Sequence, residues 1–227
     1  MKKDLTIEKY KDNYLLRSLI NLFSICGVSV GSAIDVFLDG KIQEMRKRRI
    51  EAFFDELSKG KIKLSEEVVK SNDFIHRFII TLKAVVNERR EQKIKYLARL
   101  LKNHPLEIGN EELNDEYELL LNILEETEFR ELEILVILYE YENKFPPEEE
   151  ENRLKRVSKF WDKFKNEICK KYDISESEFD GYISRISNTG LFKEITGSFC
   201  DYTGSKGYLT GLFTKLVKYI GVEQKNY

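Results

Sequence analysis

Two histidines and three cysteines are the first side chains to consider for metal binding or nucleophilic chemistry in this 227-residue chain. His76 lies within an apolar helical pattern, and His104 directly precedes a proline. A structural zinc site needs four ligands at close spacing, and Cys26, Cys169 and Cys200 offer no close pair. We therefore expect no catalytic residue, no metal and no cofactor, and we expect that the protein is not an enzyme.

Cysteine usage and the N-terminal residues indicate the compartment. An odd number of cysteines without short spacing does not predict a disulfide framework, so we expect a reducing cytoplasm. Charged residues such as Glu8 and Lys9 interrupt the region in which a signal peptide would be continuously apolar. The expected location is cytoplasmic, with membrane association upon activation as the alternative.

The apolar stretch from Ser18 to Ile34 contains no charged residue and includes two glycines, Gly27 and Gly31, four positions apart. At helical spacing such glycines let another backbone approach closely, as in membrane helix dimers. The stretch is shorter than the about 20 apolar residues of a membrane-spanning helix. Two hypotheses remain open: a tight helix corner in a bundle, or a segment that contacts a membrane or a partner.

A basic cluster follows this stretch and consists of Arg46, Lys47, Arg48 and Arg49. An apolar segment beside a basic cluster is typical of proteins that bind anionic membrane surfaces. The simpler interpretation is a solvated helix face, because Glu51 follows within one turn. We expect a protein partner or self-association, with a membrane surface as the alternative partner.

The elements that must position these residues divide into two predicted domains, of which residues 1–126 form the first. Apolar residues recur there every three or four positions, which predicts an all-helical domain. One helix is expected from about Ala33 to Leu57, with Met45 in its apolar stripe. A later helix is expected to begin at either Asn110 or Asn114, because asparagine is a favoured N-cap.

Residues 127–227 form the second predicted domain, in which helices are joined by two short strands. The first element is a helix with Leu132, Leu135, Val136 and Tyr139 on one face. The elements that follow are, in order, one helix carrying the stripe from Leu154 to Ile168, a helix begun by the capping box Ser175–Glu178, strands Leu191–Ile195 and Tyr208–Leu209, and a last helix capped by Thr210 and ended by Gly221. The strands are short and the helices many, so the predicted content is mainly helical.

Two segments of this second domain resemble a known superfamily. Phe179–Ile195 is similar to the third helix and first wing strand of winged helix-turn-helix domains, and Tyr208–Ile220 is similar to the second wing strand and closing helix. The implied fold class is mainly α, an N-terminal helical bundle followed by a small α+β winged-helix domain. Many winged helices read DNA with the third helix. A DNA-binding transcriptional regulator is therefore the alternative function, with Arg185 and Lys206 as its nucleic-acid contacts.

The charge distribution disfavours this alternative. Thr127–Tyr227 contains 16 basic and 18 acidic residues, a net charge of −2, and the first 126 residues contain 22 of each. The predicted third helix, Ser175–Asn188, carries three acidic residues and a single basic one, Arg185. Phosphate contacts need several basic side chains on one face. Nucleic acid is therefore the less favoured partner.

The order of short motifs along the whole chain carries a second resemblance. Lys95-Tyr96-Leu97-Ala98-Arg99-Leu100-Leu101 is followed by Asp115-Glu116-Tyr117-Glu118-Leu119-Leu120 and then by Glu131-Leu132-Glu133-Ile134-Leu135. This order resembles bacterial proteins of the abortive-infection alpha family, which are associated with phage resistance. The resemblance implies a setting in antiviral defence and brings no catalytic residues. The charged linker from Phe145 to Lys159 departs from the family pattern.

Overall fold

The computed structural model describes the backbone of residues 39–59, 66–149, 151–196 and 206–222. Over these residues the chain is mainly helical and contains a small two-stranded antiparallel sheet. The apolar stretch Ser18–Ile34, with Gly27 and Gly31, lies outside the described residues.

The chain divides into two compact units, residues 1–122 and 123–227. The division falls within a helix, Glu111–Glu126. The domain boundary that we expected, between residues 126 and 127, coincides with the C-terminal end of that helix.

The N-terminal unit is helical throughout its described part. Its helices are α1 (Asp39–Ser58), α2 (Glu66–Lys70), α3 (Asn72–Asn87), α4 (Glu91–Asn103) and α5 (Glu111–Glu126), the last of which continues into the next unit. Helix α1 packs against α3 and α4. Four buried phenylalanines, Phe53 and Phe54 of α1 with Phe74 and Phe78 of α3, place their ring centroids 5.6–6.4 Å from a neighbouring ring.

The apolar stripe of α1 does not extend over the whole helix. Phe53, Phe54 and Leu57 are buried as the spacing predicts, whereas Met45 is 50% exposed, so its expected place in the core is wrong. Hydrophobic spacing identifies the face of a helix but not how far along the helix a neighbour covers that face. Met45 is therefore available at the surface.

The start of α5 resolves the choice between two asparagines. The Asn110 side-chain oxygen accepts a hydrogen bond from the Leu113 N–H group at 3.2 Å, which is the geometry of an N-cap. Asn114 lies inside the helix, and its side-chain oxygen accepts a hydrogen bond from the Arg77 Nε–H group at 2.9 Å. Asn110 is the N-cap of α5, and the half-buried Asn114 instead binds the buried Arg77 side chain.

The C-terminal unit contains helices and the sheet. Its elements are α6 (Phe129–Lys144), α7 (Arg153–Ser158), α8 (Trp161–Tyr172), α9 (Glu176–Asn188), β1 (Phe192–Glu194), β2 (Gly207–Leu209) and α10 (Gly211–Ile220). The strands pair antiparallel, with Phe192 opposite Leu209 and Glu194 opposite Gly207.

We expected one helix to carry the stripe from Leu154 to Ile168, but the structure has two helices there, α7 and α8. The chain turns at Lys159–Phe160, and Phe160 adopts φ −129° and ψ −14°, outside the helical region. The turn allows Phe160 and Trp161, adjacent in sequence, to be buried together. In an unbroken helix adjacent side chains point about 100° apart, so one of them would be less covered.

Local signals in this unit have the predicted geometry. Ser175 and Glu178 form the capping box of α9, the Thr210 hydroxyl accepts a hydrogen bond from the Phe213 N–H group, and Gly221 ends α10 with φ +58°. Gly207 is required for a different reason. A Cβ atom there would lie 2.5 Å from the Lys193 carbonyl oxygen, so only glycine permits this close strand pairing.

Candidate functional site

The basic cluster lies on α1, and three of its side chains make contacts within the N-terminal unit. Arg48 pairs with Glu44 at 2.6 Å, and Lys47 lies 3.9 Å from Glu51. Arg49 Nη1 donates a hydrogen bond to the Val86 carbonyl oxygen at 2.5 Å. The cluster, which also contains the half-buried Arg46, is therefore partly neutralised rather than uniformly free for an anionic surface.

The contact between Arg49 and Val86 has a structural explanation. Helix α3 ends at Asn87, so the Val86 carbonyl is one of the last four, which lack partners within the helix. A cation at this end also interacts favourably with the negative end of the helix dipole. Arg49 therefore stabilises the packing of α1 against the C-terminal end of α3.

Two members of the basic cluster also line a surface cleft. The cleft has a volume of about 230 Å³ and is formed by Met45, Arg48, Arg49, Ala52, Arg89, Glu91 and Ile94. Its residues come from α1, from the connection between α3 and α4, and from the first turn of α4. The sequence predicts a helix from about Arg89 to Lys102 that carries Ile94, but it does not connect these residues with the basic cluster, because the approach of α4 to α1 has no short sequence signature.

The two residues expected to contact nucleic acid are engaged elsewhere. Arg185 Nε lies 2.5 Å from Glu131 Oε1, and Glu131 is buried. This carboxylate raises the pKa of Arg185. Lys206 Nζ donates a hydrogen bond to the Ser158 hydroxyl oxygen at 3.2 Å. Arg185 and Lys206 therefore each bind a different part of the C-terminal unit.

The exposed face of α9 is acidic in its first turns. Glu176, Glu178 and Asp180 are exposed there, and Glu176 pairs with Lys165 of α8 at 2.7 Å. The backbone and hydroxyl hydrogen bonds from Ser175 lower the pKa of Glu178, which keeps its carboxylate ionised at neutral pH. The N-terminal end of a helix normally attracts anions, and these carboxylates neutralise that attraction.

Sequence reasoning missed a polar cluster in the interior of the N-terminal unit. Arg77 is 2% exposed, its Nη1 donates to the Pro105 carbonyl oxygen at 2.9 Å, and its Nε donates to Asn114. The Tyr117 ring lies 4.8 Å below the guanidinium. The available signal was an arginine at a position of α3 that helical spacing assigns to the buried face, between Phe74 and Phe78.

His104 completes this cluster and is also buried. Its Nδ1 lies 3.2 Å from Arg77 Nη1 and 2.8 Å from the Pro105 carbonyl oxygen, and its Nε2 lies 3.5 Å from a Glu116 oxygen. Burial lowers the pKa of His104 and outweighs the hydrogen bond to the Pro105 carbonyl, which raises it; the positive charge of Arg77 lowers it further, against the opposite effect of Glu116. The imidazole is therefore neutral in the folded protein at neutral pH.

This environment predicts that acid destabilises the N-terminal unit. An unfolded histidine has a pKa of about 6.5. Between that value and the lowered folded pKa, the unfolded state binds a proton that the folded state does not, so stability is lost as pH falls through this window. We expect a slope of up to about 1.4 kcal/mol per pH unit. Urea denaturation followed by far-ultraviolet circular dichroism between pH 7.5 and 5.5 measures it.

Two histidine variants provide the comparison for this experiment. His104→Gln should flatten the slope, whereas His76→Gln measures what the exposed pair of His76 and Glu118, 3.0 Å apart, contributes to it. An equal slope in the wild type and His104→Gln would contradict the assignment.

The Cys169 thiol and the acidic and histidine side chains are the remaining candidates for chemistry among the described residues. Burial raises the pKa of the Cys169 thiol, which disfavours the reactive thiolate. In the part of the chain that the structure describes, no group of three or more acidic, histidine or cysteine side chains is placed to hold a metal ion. Among the described helices, none has the length and apolarity to cross a bilayer.

Comparison with known proteins matches the chain to no protein-family model, no curated protein and no solved structure.

Proposed function

We propose that this protein is non-enzymatic and acts by binding other proteins, in a setting of phage defence. The setting follows from the resemblance to the abortive-infection alpha family. The observation that carries the mode of action is the surface of α9, where exposed carboxylates lie at the N-terminal end and the single arginine is held by a buried glutamate.

We further propose that the C-terminal unit is a winged helix used as a protein-interaction module. The order α8, α9, β1, β2 and α10 supports this, together with the antiparallel pairing of two strands that directly follow α9 and precede α10. In this assignment α9 is the helix that DNA-binding members insert into the major groove.

Electrostatics on α9 opposes that use. Glu178 and Asp180 would face phosphate groups of the same sign, and Glu176 is paired with Lys165, which reduces the positive charge that Lys165 offers to phosphate. Arg185 is itself 62% exposed, but a phosphate would have to compete for its guanidinium with the Glu131 carboxylate, which lies 2.5 Å from Arg185 Nε.

A second surface of the C-terminal unit has the composition of a protein interface. Arg130 lies over the rings of Tyr172 and Tyr182, at 4.9 and 5.6 Å from their centroids, and donates a hydrogen bond to the Tyr182 hydroxyl oxygen at 2.7 Å. Arginine and tyrosine are enriched at protein–protein interfaces and among the residues that dominate their affinity. We refer to Arg130, Tyr172 and Tyr182 as the Arg130 patch.

The proposal predicts the outcome of phage challenge. A bacterial host that expresses the full chain should show reduced plaque formation. The double substitution Arg130→Ala/Tyr182→Ala should abolish protection because it removes the Arg130 patch. Lys163→Ala, an exposed position on α8, is the matched control and should protect like the wild type. The fluorescence of Trp161 reports whether each variant remains folded.

Three results would contradict the proposal. Protection that survives Arg130→Ala/Tyr182→Ala would remove the Arg130 patch, and no protection against any phage in a broad panel would remove the defence setting. Binding of a labelled DNA duplex at about 50 mM salt, with a steep salt dependence and loss on Arg185→Ala and Lys206→Ala, would establish the DNA-binding regulator instead.

A further inference from the structure

The cleft on the N-terminal unit combines an apolar floor with a basic rim. Ala52 of α1 and Ile94 of α4 form the floor, and Ile94 is 2% exposed. Met45 stands at one side and is 50% exposed. Methionine is flexible and adapts to the shape of a bound apolar side chain. The floor is therefore suited to one apolar anchor residue.

The charges around the cleft are predominantly positive. Arg48 and Arg49 belong to α1, and Arg48 shares its charge with Glu44 at 2.6 Å. The Arg89 guanidinium makes no hydrogen bond or ion pair with any residue that the structure describes. The acidic residue of the lining, Glu91, pairs with Lys95 of the same helix at 2.7 Å. Arg49 binds a neutral carbonyl oxygen and so keeps its full charge.

The position of one of these arginines is set by the fold. The Val86 carbonyl holds the Arg49 side chain, so this guanidinium group loses less conformational freedom when a ligand binds. The pair of Arg48 and Glu44 is exposed and constrains Arg48 only weakly. The first turn of α4 also contributes the positive end of its dipole to the same region. A ligand with carboxylates on either side of an apolar residue is complementary to this arrangement.

We propose that this cleft binds an acidic peptide segment of a partner protein. One apolar side chain of the segment packs between Met45 and Ile94, and flanking carboxylates lie against Arg48 and Arg89. The inference rests on the proposed function, namely that the protein acts through protein contacts, and it names the chemistry of one partner. It concerns a surface separate from the Arg130 patch.

The shape of the site favours a peptide over a membrane or a nucleic acid. Helices that bind bilayers present protruding apolar side chains to the lipid, whereas here Ile94 is recessed and Met45 is the exposed apolar side chain. Binding of single-stranded nucleic acid uses aromatic side chains on which bases stack, and the residues that line the cleft include no aromatic one.

The experiment measures binding of three labelled dodecapeptides to the full chain by fluorescence anisotropy. The first peptide has a central leucine flanked by glutamates, the second has alanine in place of the leucine, and the third has lysines in place of the glutamates. We expect the leucine peptide to bind at least about tenfold more tightly than the alanine peptide, because burial of a leucine side chain contributes that much affinity. The lysine peptide should not bind.

Substitutions in the cleft should weaken binding of the leucine peptide. Arg48→Glu/Arg89→Glu should reduce its affinity by about tenfold or more through charge reversal. Ala52→Leu should also reduce the affinity by filling the floor without a change of charge. Lys83→Glu is the matched control, because Lys83 is exposed on α3 outside the lining, and it should bind like the wild type.

Three outcomes would overturn the inference. They are no binding of the leucine peptide at millimolar concentration, equal binding of the leucine and alanine peptides, and binding of the leucine peptide that Arg48→Glu/Arg89→Glu leaves unaffected. If the wild type binds vesicles of phosphatidylcholine and phosphatidylglycerol but none of the peptides, and the cleft variants lose vesicle binding, the cleft is assigned to membranes instead. None of these outcomes affects phage protection that depends on the Arg130 patch. The peptide-binding hypothesis for the cleft can therefore be wrong while the proposed function remains supported.

Discussion

Phe164→Ala should destabilise the C-terminal unit by about 3–5 kcal/mol, the usual cost of truncating a fully buried phenylalanine. Phe164 is 0% exposed. Its ring centroid lies 5.3 Å from that of Trp161, 5.7 Å from Phe179 and 6.0 Å from Tyr141. These neighbours come from α6, α8 and α9, so the substitution opens a cavity where three helices meet.

The single tryptophan of the chain provides the measurement. Trp161 is buried beside Phe164, and its fluorescence during urea denaturation reports unfolding of the C-terminal unit. Lys163→Ala is the control, because Lys163 is exposed on the same helix and its truncation leaves no internal cavity. A Phe164→Ala unfolding free energy within about 1 kcal/mol of wild type would mean that the site collapses around the missing ring or that this packing is wrong.

Arg77→Ala should destabilise the N-terminal unit by about 3 kcal/mol or more. The substitution leaves the Pro105 carbonyl oxygen and the Asn114 side-chain oxygen without the donor groups of Arg77, and each lost buried hydrogen bond costs about 1 kcal/mol or more. A cavity forms as well. The expected loss of stability is smaller than the sum of these costs. Arg77 Nη2 is buried without a hydrogen-bond partner among the described residues, and the substitution removes the cost of burying that donor.

Hydrogen exchange followed by mass spectrometry measures this effect in peptides from α3, α4 and α5. Arg77→Met separates the two causes, because methionine restores most of the volume but none of the hydrogen bonds. We expect Arg77→Met to be intermediate between the wild type and Arg77→Ala. Lys83→Ala, at an exposed position on the same helix, should change exchange little. Unchanged protection in Arg77→Ala would show that the cluster contributes no net stability.

Helix ends were predictable from the sequence because they depend on contacts between near neighbours. The capping box of Ser175 and Glu178, the Thr210 cap and the left-handed Gly221 each satisfy backbone groups within four residues of themselves. Such contacts require only the local conformation. The short strands around residues 192–194 and 207–209 were predicted with similar success.

The break at Phe160 was not predictable in the same way. Helical spacing from Leu154 to Ile168 fits one continuous helix as well as two. The choice depends on the burial of Phe160 against Tyr141 and Phe145, whose ring centroids lie 5.9 and 5.5 Å away. Packing between elements distant in sequence therefore overrides the local period.

The composition of the candidate sites was visible in the sequence, but the state of their charges was not. The sequence by itself determined that the chain is mainly helical, that a basic cluster lies on α1 and that α9 is poor in basic residues. Tertiary structure decided that Arg185 pairs with Glu131, that Arg77 is buried with His104, and that Arg48 and Arg89 meet around an apolar cleft. The physical reason is that secondary structure and caps follow from interactions over a few residues. The partner of a charged side chain depends instead on which helices pack together.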